Sequence, residues 1–455
     1  MRLLSPEDWI SYQGAFIALW TDSTYAYALY EPGELIAVAL QDGGYPALPY
    51  PGADWFQRLA KDLNGHMAVG FQAIGPAIEQ FRAPDGRGPW PDFIGPEVEG
   101  GHQVAVGPVY GDITEPVHFR FFVLGERILK LQTRLGYAHR GILGLIRGKS
   151  PRQAARYAAR VCGDATVAHA VAFARAAENA LGVEAPARAH FLRAIMAEIE
   201  RLSNHCGDLA ELIGMAGDGL LAERFAVLRE YIADVSQAVF GHRLMMDVVI
   251  PGGVSKDMAE TGDVRLRALL AMAERELPDL RQAVLNADAL QERLTGIGVM
   301  SVDLAEVYNV GGYAGRGSGQ ERDARSIPGY PPYTAFNMNI TVEQTGDIAA
   351  RVKVRMTEMC ESLGLLQNLL VDLPEGPLTV VVPTETGLGL GVAESFRGPV
   401  WHWLKIENGH IQDACVVDAS AAHWQVLEQV AMTSSLADFP LIERSFNPSV
   451  AGVDN

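Results

Sequence analysis

Between Ser150 and Leu290 the chain carries four successive stretches, Ser150–Leu181, Ala185–Ala216, Leu221–Val248 and Lys256–Leu290, in which apolar residues recur every three or four positions. That spacing puts an apolar stripe on one face of an α-helix. Long amphipathic helices cannot leave such stripes in water, so four in a row must bury them on one another, and Gly or Pro at their ends marks where the chain turns back. A fifth stretch, Asp347–Leu370, has the same character. In the second, Phe191, Leu192, Ile195, Ile199 and Leu202 keep the helical spacing and are the expected bundle core.

The flanks read differently. From Ser11 to about Gly75, β-prone runs at Ala26–Tyr30 and Glu34–Leu40 precede a helical segment at Ala53–Asn64, which describes a small α/β module. Gly75–Gly101, with five prolines, reads as a linker, so the expected units are 1–100 and 101–455. His102–Val109 and His118–Leu124 read as strands, and Arg127–Leu135 as a third strand or a short helix. Gly311–Pro332, rich in Gly, Arg and Ser, suits a functional loop. Leu378–Val382, Pro399–Ile406 and His410–Val417 read as a small closing sheet, and Gly387–Gly391 as a glycine cluster in a loop. The fold class is therefore α+β, a long-helix bundle with small peripheral sheets, preceded by an α/β module.

Composition narrows the function. A formal charge of −18 argues against nucleic acid, whose phosphates need clustered Lys and Arg. The longest apolar runs, such as Val167–Ala174, are far short of the roughly 20 residues that span a bilayer. The first residues lack a signal-peptide pattern, which gives a cytoplasmic expectation. Cys162, Cys206, Cys360 and Cys415 form no C-x-x-C pair, so neither a disulfide framework, a zinc ribbon nor an iron-sulfur cluster is indicated. No G-x-G-x-x-G follows a strand, which leaves nicotinamide or flavin binding without support.

Several motifs occur in a telling order: Gly107-Pro108-Val109-Tyr110 through Glu115 to His118, Gly136-Tyr137-Ala138-His139-Arg140-Gly141, Arg160-Val161-Cys162-Gly163-Asp164-Ala165 to His169, and Glu198-Ile199-Glu200-Arg201 to His205. Downstream come Gly315-Arg316 to Asp323-Ala324-Arg325, Gly346-Asp347 to Arg351, Glu394-Ser395-Phe396-Arg397-Gly398, and a C-terminal Asn447-Pro448-Ser449-Val450-Ala451-Gly452. From Gly107 onward the chain resembles the large subunit of membrane-bound, energy-converting (group 4) [NiFe] hydrogenases and the D subunit of respiratory complex I (NADH-quinone oxidoreductase). The stretch Ala53–His66 resembles, more weakly, the C subunit of complex I in shortened form.

The resemblance implies a nickel-iron centre held by four thiolates from two C-x-x-C motifs, soft ligands for a soft, redox-active metal pair. This chain keeps Cys162, but Ala165, Ser449 and Gly452 stand at the other three positions, so no metal is expected and Cys162 reads as a remnant. The quinone-binding pair of complex I is also missing, since the tyrosine position falls at Gly163 and the histidine position near Thr114 or Glu115. Tyr110, Tyr137, Tyr157 or Tyr313 is then left to compensate.

Glu115, Asp164, Arg316 and Asp323 are the candidate cavity and proton-relay residues, because a carboxylate in a partly buried cleft can carry protons when its pKa is raised. His118, His139, Arg140, Gly163 and His169 are candidate cavity lining. Plainer readings stand beside these: Glu115 paired with Arg140 or Arg316, Arg316 and Arg325 in an internal ion network with Asp323, and His169 and His205 as packing residues. The family implies a large, catalytic-type subunit without cofactor of its own, next to an iron-sulfur small subunit resembling the B subunit of complex I and to membrane subunits, peripheral on the inner face of the cell membrane. Two functions remain open: a structural or proton-coupling role, or reduction of a quinone or other small acceptor in a remodelled cavity.

Overall fold

The computed structural model describes residues 1–71, 77, 93–110, 114–432 and 434–454. The expected linker lies largely outside the described residues. Helices Ala187–Met215, Gly219–Phe240, Gly262–Asn286 and Ile348–Val371 form the bundle. Leu192, Ile195, Ile199 and Leu202 are buried in it, while Phe191 is half-buried against Phe336.

The helix expected over Ser150–Leu181 is two helices, Pro151–Ala158 and Thr166–Leu181. The break contains Cys162 and Gly163, and the second helix starts with Glu200 accepting hydrogen bonds from the Val167 and Ala168 backbone at 2.6 and 3.0 Å. Those two donors would otherwise be orphaned at a helix start. Gly241, left-handed at φ 74°, ends the third long helix seven residues before the expected Val248. A left-handed residue cannot continue the helix, and Gly adopts it without a Cβ clash.

Arg127–Arg134 is a strand, completing an antiparallel sheet with His102–Val106 and His118–Leu124. At the C-terminal end the sheet is Gly387–Ser395, Gly398–Glu407 and His410–Val417. Its first strand corrects the loop reading of Gly387–Gly391, and Leu378–Val382 is no strand, touching Gly253 through a single bridge at Thr379. The reason is close packing. A Cβ on Gly387, Gly389 or Gly391 would fall 1.9, 1.9 or 2.1 Å from the carbonyl oxygens of Ala180, Ala176 and Ala172, so only a glycine face lets this strand lie on the Thr166–Leu181 helix backbone.

Gly311–Pro332, expected as a functional loop, opens with a short helix, Gly312–Arg316, and buries Arg316, Asp323 and Arg325 while Glu321, Ser326 and Ile327 stay exposed. At the N-terminus, strands Phe16–Thr21, Tyr25–Tyr30, Glu34–Ala39 and Arg2–Leu3 form one sheet. It docks on the C-terminal sheet through Trp20 and Tyr27, whose rings lie 5.6 and 4.8 Å from that of Trp403, and through a Lys405–Asp22 ion pair at 3.0 Å. Among the described residues no helix is long and apolar enough to cross a membrane.

Candidate functional site

The break before the Thr166 helix and the C-terminal turn before the Val450–Val453 helix meet. Cys162 Sγ lies 3.2 Å from Ser449 Oγ and 2.6 Å from Asp164 Oδ1. Arg397, just past the Gly387–Ser395 strand, clamps the Asp164 carboxylate with both terminal nitrogens, Nη1 at 2.8 Å, and donates from Nε to the Asn447 carbonyl. Glu115 faces them. Its carboxylate accepts from Ser449 Oγ at 3.2 Å and from the backbone N–H groups of Val450 and Ala451, capping the last helix.

Burial raises the Glu115 carboxyl above its ordinary range, and the charge of Asp164 adds to the effect. Burial also lifts the Cys162 thiol well above its usual value, Asp164 again adding to it, so the sulfur stays protonated. Asp164 behaves oppositely: burial opposes its ionisation, but the Arg397 guanidinium outweighs this and holds the carboxyl below the usual range. Beneath them, Glu443 is raised to about 7 by burial and then by the Glu115 charge. Asp454, accepting from the Gly136 and Ala138 backbone, is raised to about 6 by burial. The cluster therefore holds three carboxyls that bind protons more tightly than free acids do.

The sequence candidates divide. Glu115, Cys162, Asp164, Ser449 and Arg397 touch, and Gly163 is an exposed residue beside them whose Cβ direction meets nothing within 4 Å. His139 reaches the Asp454 carbonyl at 2.9 Å, and Arg140 donates to the Val161 carbonyl at 2.6 Å. Glu115 thus pairs with neither Arg140 nor Arg316. His169 is fully buried, its nitrogens 2.9 Å from Asp418 and 3.0 Å from His402. Asp418 in turn abuts Gly452, where a Cβ would sit 2.8 Å from its Cγ. His118 bonds the Gly107 carbonyl at 2.9 Å and meets the Phe93 ring at a tilt, with centroids 5.3 Å apart.

Arg316 and Asp323 belong to a second, buried ion network. Arg316 donates to Glu358 at 2.7 Å and to Glu394 at 3.1 Å, and Arg325 bridges Asp323 and Glu198. His205 lies 2.9 Å from Glu358, so this histidine is a network member rather than only a packing residue. Arg397, Asp418 and Asp454 are site residues that sequence reasoning did not single out. Arg397 was visible in its motif beside Gly398, whereas nothing local distinguishes Asp418 or Asp454 from surface acids.

The donor set does not fit a nickel-iron centre. One protonated thiol, an alanine methyl, a hydroxyl engaged in a cap and a glycine are not four thiolates, and a side chain at Gly452 would collide with Asp418. Among the described residues no group of three or more His, Cys, Asp or Glu is placed to hold a metal ion.

Fold and site together define a hydrogenase large-subunit-like protein. Residues 223–388 match the model of the respiratory-chain NADH dehydrogenase 49 kDa subunit, and residues 140–214 that of nickel-dependent hydrogenase. The chain is 33% identical to the NADH-quinone oxidoreductase D subunit of Acidiphilium cryptum, over 61% of this chain and 69% of that protein. It is 28% identical to formate hydrogenlyase subunit 5 of Escherichia coli, over 90% of this chain and 77% of that one. A solved structure titled as the membrane-bound sulfane sulfur reductase, an archaeal respiratory membrane complex, superposes with a TM-score of 0.74 at 24% identity, covering 79% of this chain and 100% of that chain. The chain belongs to the family of complex I D subunits and group 4 hydrogenase large subunits.

Proposed function

We propose that this chain is the large, catalytic-type subunit of a hydrogenase-like or complex I-like membrane assembly, working without a nickel-iron centre and serving a structural or proton-coupling role. The observation that carries the reading is what fills the four ligand positions. Ser449 and Glu115 form a helix cap, Gly452 packs on Asp418, and Cys162 is a neutral thiol beside the Asp164–Arg397 pair. Glu443 and Asp454, raised to about 7 and about 6, suit a site that takes up and releases protons near neutral pH, and the Glu115 carboxyl beside them is also raised by burial.

Electrons would have to come from an iron-sulfur partner, since this chain offers no cluster ligands, and membrane subunits would hold the assembly at the inner face of the cell membrane. A second reading, reduction of a quinone or other small acceptor, draws on the open space over exposed Gly163, next to a carboxylate a third exposed. Elemental analysis with electron paramagnetic resonance on the chain purified with its partners tests the first reading. Iron-sulfur signals without stoichiometric nickel are expected; nickel at one per chain would overturn it. A quinone-dependent turnover abolished by a bulky residue at Gly163 would favour the second.

A further inference from the structure

Away from the Cys162 cluster, a cavity of about 200 Å³ lies where the Glu31–Pro32 turn meets the Arg322–Pro328 segment and Trp401. Its lining joins exposed residues, among them Glu321, Ser326 and Ile327, to the buried Asp323 and Glu394. The volume is enough for several waters, and the wall offers them the Glu31, Glu321, Arg322 and Ser326 side chains, while the fully buried Glu394 carboxylate sits one layer behind, bonded to the N–H of the lining residue Ala324 at 3.0 Å.

The buried network behind it has an unequal count of charges. Four carboxylates, Glu198, Asp323, Glu358 and Glu394, share three guanidiniums, Arg201, Arg316 and Arg325. His205, the remaining base, is pushed toward its neutral form by burial. Within this directly paired set one negative charge is in excess, and a proton on one carboxylate removes it.

The geometry points to Glu394. Glu198 has Arg325 at 2.9 and 3.1 Å, Tyr333 at 2.7 Å and Ser362 at 2.6 Å. Asp323 has two Arg325 nitrogens at 3.0 and 2.7 Å and the Arg325 backbone N–H at 2.9 Å, while Glu358 has Arg316 at 2.7 Å and His205 at 2.9 Å. Glu394 has only Arg316 Nη1 at 3.1 Å and the Ala324 backbone N–H at 3.0 Å. Also near it are Tyr330, whose hydroxyl accepts from the Glu394 backbone, the Arg201 nitrogens on the Glu394 and Ser395 carbonyls, the charges of Asp323 and Arg325, and, from the Thr166–Leu181 helix, Arg175 over the Tyr330 ring at 4.6 Å. Of the four, Glu394 is the least compensated, and it alone besides Asp323 lines the cavity.

We propose that this cavity is a water-filled proton-exchange port and that Glu394, on its buried side, is the proton-binding site it serves. Loading and unloading Glu394 changes the charge of a network that ends three residues from Arg397, the clamp of the Cys162 cluster. Burial, then the nearby Asp323 charge, lifts the Glu394 carboxyl to about 7, which places the exchange near neutral pH. The proposal does not depend on the metal-free reading of the other cluster.

The test is pH-difference infrared spectroscopy on the intact purified chain, read as wild type minus Glu394→Gln, because Glu200, Glu443 and Asp454 also titrate at about 8, 7 and 6. A protonated-carboxyl band that grows as pH falls through about 7 and is missing from the variant is the expected result. The same band in Glu394→Gln, or no band in the difference, overturns the assignment of the site. Glu394→Asp, which keeps a carboxyl, should shift the band and so identifies it if Glu394→Gln fails to fold; a band unmoved in Glu394→Asp likewise overturns the assignment. Ser326→Phe, a change on the exposed lining, should keep the band so identified but slow its shift on transfer to D2O several-fold, and exchange at the wild-type rate would overturn the port.

Discussion

At the residue scale Ser449 and Gly452, where the resemblance implies thiolates, serve as capping and packing positions, and single changes should show it. Gly452→Ala would set a methyl 2.8 Å from Asp418 Cγ, an overpacking that costs about 1–3 kcal/mol and is checked by denaturant unfolding. Glu200 makes a sharper prediction with pH. Burial raises its folded pKa to about 8 despite the backbone bonds it accepts, whereas the unfolded value is near the ordinary 4.5. Between those two values the folded state binds the extra proton, so stability falls as pH rises through that window and is flat in this term beyond it. Glu200→Gln removes that slope while keeping one acceptor for the Val167 or Ala168 N–H. A stability profile between about pH 5 and 8 with an unchanged slope would contradict the assignment. None of this was legible locally, because a pKa depends on the dielectric and charges that other segments bring.

The long helices were legible because their apolar period runs over many turns. What escaped was decided by contacts between elements. Glycine at every second position of Gly387-Leu388-Gly389-Leu390-Gly391 gives weak strand propensity, yet the run pairs as a strand, and its glycines are required because three helix carbonyls lie where side chains would be. Gly389→Ala, whose methyl would sit 1.9 Å from the Ala176 oxygen, should prevent native folding or lower stability by several kcal/mol, with Tm from circular dichroism as the check. The break at Cys162 was hidden for a related reason: the surrounding alanines and valines keep a helical pattern on both sides. Ile195, fully buried in the bundle, should not tolerate a charge, and Ile195→Glu is expected to unfold the chain; an unchanged Tm would refute its core position.

Across the whole molecule, one apolar core joins the N-terminal sheet to the bundle and the C-terminal sheet. Trp403, fully buried between Trp20 and Tyr27 on one side and its own sheet on the other, is the side chain on which this docking turns. Trp403→Ala should cost about 3–5 kcal/mol and expose residues 16–30 to proteolysis before the bundle, seen by mass mapping of early fragments. By itself the sequence determined the helical bundle, the flanking small sheets in outline, the family, and the identity of Cys162, Ala165, Ser449 and Gly452 where the resemblance implies thiolates, since each of these is written in local periodicity or in residue identity at a motif. Only the tertiary structure decided that Glu115 caps the last helix, that Arg397 holds Asp164, that Arg316 and Asp323 lie in a separate network, and that the buried Glu394 sits behind the wall of a cavity. Those outcomes depend on which distant segments exclude water from the same few ångströms, and neither spacing nor composition encodes that proximity.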